Sequence, residues 1–129
     1  MELQILFKNQ ISIEQIEEFI SRVYQVHRES ISELQDNAKV SIDVYYSLTE
    51  LQVGYKYVLE LFFDQKYLEK GMPNTDLLLA KCFVGLFNQK VLVSTDSVNP
   101  YEWLLVAKED TEIVFETTND VEGVIINED

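Results

Sequence analysis

The sequence predicts a single α+β domain over residues 1–129, in which two helices cover one face of an antiparallel sheet. Three observations carry that prediction. In residues 40–64 apolar side chains alternate with others twice over: Val40, Ile42, Val44, Tyr46 and Leu48 against Ser41, Asp43, Tyr45 and Ser47, then Tyr55, Tyr57, Leu59, Leu61 and Phe63 against Lys56, Val58, Glu60, Phe62 and Asp64. A period of two over such lengths marks two strands folded back on each other with one fully apolar face. That face needs cover, and helical spacing at residues 12–27 and 75–87 supplies it. Strand, helix, two strands, helix, strand is the order of a ferredoxin-like split β-α-β core, here extended by a C-terminal hairpin.

Each element has its own signal. Leu3, Ile5 and Phe7 alternate with Glu2, Gln4 and Lys8 in a short first strand. Ser12 followed by Gln15 is a capping-box pattern, and Glu14, Glu17 and Glu18 suit the positive end of a helix dipole. Ile13, Ile16, Ile20, Val23, Tyr24 and His27 then fall near one stripe with Phe19 on its border. From Glu29 the pattern weakens; Ile31 and Leu34 extend the helix or pack a short turn, and Asp36-Asn37 reads as a turn. Gly54 lies in a connection of undefined loop type between the two central strands.

Gly71, Met72, Pro73 and Asn74 break the chain before the second helix, which Asn74 or Thr75 caps. Leu78, Leu79, Cys82, Phe83, Leu86 and Phe87 give it a wide apolar face, so Cys82 is expected to be buried. Gly85 lowers helix propensity by roughly 1 kcal/mol relative to alanine, which predicts close approach to a neighbouring element. Residues 91–95 form an interior strand, 96–100 a loop, and 101–107 with 112–117 a hairpin whose largest apolar side chains are Trp103 and Phe115. Val124-Ile125-Ile126 adds an edge strand or leaves the C-terminus partly disordered.

Composition narrows the function. Acidic residues number 23 and basic residues 10, a net charge of −13, and residues 91–129 hold 10 acids against Lys108 alone. A field of that sign repels nucleic acid and anionic membranes and accelerates encounter with a basic protein surface. The N-terminal MELQILFKNQ has no cationic start before a long apolar stretch, and no run reaches a membrane span, so a cytoplasmic location is expected. One cysteine allows no internal disulfide.

No catalytic set is visible. His27 is the only histidine, the four glycines form no phosphate-binding loop, and Asp96, Asp110 and Asp120 lack the ligand spacing of a calcium loop. The expectation is therefore a protein that is not an enzyme and has no cofactor and no metal.

Size, acidity and architecture, together with the stretch Asn99-Pro100-Tyr101-Glu102-Trp103-Leu104-Leu105-Val106, resemble bacterial toxin immunity proteins of the contact-dependent growth inhibition type. The resemblance implies a protein that neutralises a basic toxin domain, commonly a nuclease, by covering its active-site cleft with carboxylates. The alternative is an acidic secretion chaperone, which would use apolar grooves instead. A DNA mimic would space its acids along an extended surface, whereas here they concentrate near the C-terminus. The charge distribution places the partner-binding surface at Asp96, Glu102, Glu109, Asp110, Glu112 and Glu116. The mixed sheet face with Asp43, Tyr45, Val58, Glu60 and Phe62 is the second candidate.

Overall fold

The chain runs β1 (Glu2–Phe7), α1 (Ile13–Tyr24), a 3-10 turn (Arg28–Ser30), β2 (Ile31–Glu33), β3 (Val44–Glu50), β4 (Val53–Gly54), β5 (Tyr57–Phe63), α2 (Asp76–Phe87), β6 (Val91–Ser94), β7 (Glu102–Val106), β8 (Thr111–Phe115) and β9 (Gly123–Val124). The computed structural model describes residues 1–34, 42–64, 68–69, 71–117 and 121–128. A seven-stranded sheet has the order β2-β3-β5-β1-β6-β7-β8, and β4 pairs with β9 in a separate two-stranded ribbon. All neighbours in the large sheet are antiparallel except β2 and β3. The fold is α+β, and β5 lies antiparallel between β1 and β3.

Strand β1 shows that each face of this sheet carries a core. Its Leu3, Ile5 and Phe7 point to one side and Leu6 to the other, and all four are buried. On the first face Leu3, Ile5 and Phe7 join Val44, Tyr46, Leu59, Leu61, Val91 and Val93 beneath Ile16, Phe19 and Ile20 of α1 and Leu79, Ala80 and Phe83 of α2. The aromatic centre is dense: Phe83 lies 4.8 Å from Phe7 and 5.5 Å from Phe19, ring to ring. On the second face Leu6, Val58, Leu92 and Leu105 pack under Tyr55, Val124 and Ile126.

The helix ends follow their local chemistry. The Ser12 hydroxyl accepts from the Gln15 amide at 3.1 Å and the Gln15 side-chain oxygen accepts from the Ser12 amide at 3.0 Å, the reciprocal capping box. Gln25, in the left-handed region at φ 54°, ends α1. His27 therefore lies outside the helix and is exposed, Ile13 is 41% exposed on the first turn, and Phe19 sits at the centre of the buried stripe, not on its border. Thr75 caps α2 by accepting from the Leu78 amide at 3.2 Å.

Several expectations are corrected. Helix α2 buries Leu79, Ala80, Phe83 and Val84, so Leu78, Leu86 and Cys82 turn toward solvent and the thiol is exposed. An almost uniformly apolar helix carries little phase information, and the sheet chooses the face. Partial burial still pushes the Cys82 thiol above its ordinary pKa. Gly85 has open space where a side chain would be, so it marks no close approach. Residues 31–33 form the edge strand β2, too short to show periodicity, and Leu34 is exposed; Asp36-Asn37 lies outside the described residues. Tyr55 leaves the apolar row of β5 for the second face, because β5 begins only at Tyr57, Lys56 lies in no strand, and Tyr55 bridges Val124 of the ribbon instead.

Residues 121–128 pack back on the domain without extending the large sheet. Val124 pairs beside Gly54 and Tyr55, Ile126 bridges Glu116, and Thr117 N–H donates to the Ile125 carbonyl at 2.8 Å. Burying Val124 and Ile126 contributes roughly 1.5–3 kcal/mol each. Glu128 pins the end, accepting from the Tyr55 hydroxyl at 2.7 Å and pairing with Lys8 at 3.6 Å and Lys90 at 3.7 Å.

Candidate protein-binding surfaces

The β7–β8 hairpin and the residues flanking it carry the six candidate carboxylates, and the register divides them. Glu102 pairs with Phe115 at one end and Val106 with Thr111 at the other, so the strands separate the two ends by roughly 13 Å. Asp96, Glu102 and Glu116 lie at the first end. Glu109 and Asp110 form the turn at the second, with Glu112 two residues on. Alternation then splits them by face: Glu102 shares the helix-covered face with Ile113 and Phe115, whereas Glu112 and Glu116 share the second face with Trp103 and Leu105. The six do not form one cluster.

They also differ in what they already do. Glu102 accepts from the Thr95 hydroxyl at 2.7 Å, which ties the loop after β6 to the start of β7. Glu116 accepts from the indole N–H of Trp103 at 2.8 Å. Both are half-buried and engaged. Asp96, Glu109, Asp110 and Glu112 are exposed, and among the described residues no cation lies within ion-pairing distance of their carboxylates. Beside the turn, Lys81, Val84 and Gly85 of α2 face residues 107–111 across an open cleft of about 380 Å³, in which Lys81 and Lys108 mix with Glu109 and Asp110.

The second surface is the part of the sheet's second face that the C-terminal segment leaves open. Register lays it out as two rows across β3, β5 and β1: Tyr45, Phe62 and Glu2, then Ser47, Glu60 and Gln4. Tyr45, Phe62, Ser47, Glu60 and Gln4 are half-buried and Glu2 is exposed. Val58, expected on this face, belongs to the covered part and is 8% exposed. Asp43 is half-buried at the margin and donates its backbone N–H to the Ser30 carbonyl at 2.9 Å.

Three carboxyl groups interact at this corner. Glu60 is held above the ordinary carboxylate range by partial burial, by a hydrogen bond shared with Glu2 and by the charge of Glu2. Asp76 is also raised, by burial first and by Glu2, against a lowering from the Gln4 amide that donates to it at 2.9 Å. That last bond has a clear origin: β6 pairs with β1 only at Leu6 and Phe7, so the first residue of α2 takes the amide the sheet leaves unpaired. Glu60 was visible on the mixed side of its strand, but its proximity to Glu2 depends on register and has no local signal.

Among the described residues no group of three or more His, Cys, Asp or Glu could hold a metal ion, and no helix is long and apolar enough to cross a membrane. No family model, curated protein or solved structure matches this chain.

Proposed function

We propose that this protein binds a basic protein partner through acidic surface groups, as an immunity protein that neutralises a basic toxin domain in the cytoplasm. The observation that carries the reading is the set of exposed carboxylates, Asp96, Glu109, Asp110 and Glu112, that form no ion pair with a described cation in a chain of net charge −13. Such a surface is costly through self-repulsion, and an edge hairpin accepts lysines at exposed positions as readily as acids. A basic partner offsets that cost on binding. Glu102 and Glu116 hold the hairpin in shape, and their contribution to binding is to position it.

The test is titration of the variant E109Q/D110N/E112Q against the toxin domain encoded beside this protein, at low and high salt. Loss of rim charge slows association and flattens its salt dependence while the thermal midpoint stays in place. Wild-type rates at both salts would remove the turn from the interface, and absence of any binding by the unmodified protein would reject the immunity reading. The secretion-chaperone alternative draws on Ile113 and Phe115, 57% and 52% exposed on the last strand of the sheet. It calls for an apolar partner segment and little salt sensitivity, so the same titration separates the two.

A further inference from the structure

We propose that the open part of the second sheet face, lined by Tyr45, Phe62, Glu2 and Glu60, docks a basic segment of the partner, with an arginine side chain held between the two carboxylates. The inference rests on the reading of this chain as a binder of a basic protein and adds a contact surface distinct from the hairpin turn. Four strand spacings, roughly 19 Å, separate β5 at its centre from β8, so one domain-sized partner can reach both.

Charge complementarity identifies the occupant. Glu2 and Glu60 are diagonal neighbours on this face in the β1–β5 register, and the charge of Glu2 bears on both Glu60 and Asp76. None of the three is ion-paired among the described residues. The α-ammonium of Met1, close by in sequence, is engaged with the Phe63 carbonyl at 2.7 Å. A guanidinium placed between them offers donors to both carboxylates and offsets their like charge, and its planar fork suits two acceptors better than an ammonium does. Tyr45 and Phe62, directly opposite each other in the β3–β5 register, supply half-exposed aromatic surface for the arginine stem and the plane of its head group. The remaining side chains in this patch, Ser47 and Gln4, are neutral hydrogen-bonding groups that exclude no cation.

An acetylated, amidated tetra-arginine peptide is the probe, added to isotope-labelled protein at low salt and followed through amide and side-chain carboxyl resonances. The expected result is a set of shifts at Glu2, Gln4, Tyr45, Ser47, Glu60 and Phe62, with the titration midpoint of Glu60 moving down when the peptide is bound. E2Q/E60Q, which keeps the size and hydrogen-bonding capacity of both side chains, should weaken this binding by about tenfold or more. E109Q/D110N/E112Q should leave the shifts at this face in place. Shifts confined to Asp96 and residues 109–112, or an E2Q/E60Q variant that binds as wild type, would overturn the proposal. If the double variant fails to fold, an unmoved Glu60 midpoint in the wild-type protein with peptide overturns it equally. Because no toxin is present, failure here leaves the immunity reading to its own titration.

Discussion

At the scale of single residues, three tyrosines show how this acidic chain uses carboxylates internally. Tyr46 is fully buried and donates to Glu17 at 2.7 Å, and Glu17 in turn pairs with Arg28 at 3.4 Å. Tyr55 donates to Glu128, and Tyr24 to the Pro73 carbonyl at 2.9 Å. Burial is the main reason all three phenols are held above their ordinary range; the hydrogen bond and charge of Glu17 and of Glu128 add to it for Tyr46 and Tyr55, and the charge of Cys82 for Tyr24. A phenol raised in the folded state stabilises the fold in full below its unfolded pKa of about 10, and that stability is lost as pH rises further. Spectrophotometric titration should therefore show these tyrosines ionising together with alkaline unfolding. Tyr46→Phe and Tyr55→Phe should each remove one tyrosine's amplitude from that late step. An unchanged late amplitude would mean that the replaced phenol ionises freely in the folded protein.

At the scale of elements, the β4–β9 ribbon decides whether the second face has a core. Gly54 at φ 68° and Gly123 at φ 119° face each other's strand so closely that an added Cβ would lie 2.2 Å from the Val124 carbonyl oxygen or 2.0 Å from that of Val53. Only glycine meets both the backbone angle and the approach. Alanine at either position should part the ribbon, loosen Val124 and Ile126, and cost about 2–4 kcal/mol in urea denaturation, with earlier proteolysis of the C-terminal segment. A wild-type midpoint for Gly123→Ala would mean that the segment is held by Glu128 and its partners alone. Gly54 was legible only as part of a connection of undefined loop type, and its counterpart across 69 positions, Gly123, was not, because the two share no local pattern.

At the scale of the whole molecule, the excess of acids over bases sets an electrostatic background against which the fold must close. Raising sodium chloride from a few millimolar to about 0.2 M screens like-charge repulsion over distances near 10 Å and should raise the thermal midpoint at pH 7. The partly exposed pairs of Glu128 with Lys8 and Lys90 weaken under the same change, by an amount small for surface ion pairs. A falling midpoint would show that these few attractions outweigh the net field.

What the residues determined by themselves is whatever depends on near neighbours in sequence. The alternation of Val44, Tyr46, Leu59 and Leu61, the Ser12–Gln15 cap, the break at Gly71 to Asn74 and the hairpin after Tyr101 all rest on spacing, propensity or capping, and each lies where expected. Tertiary structure alone decided which face of α2 is inside, that Ile31 opens an edge strand, that Tyr55 changes sides, and that Glu2 meets Glu60. These outcomes turn on register and on competition for one sheet's area, and the energy that selects them comes from contacts between residues tens of positions apart.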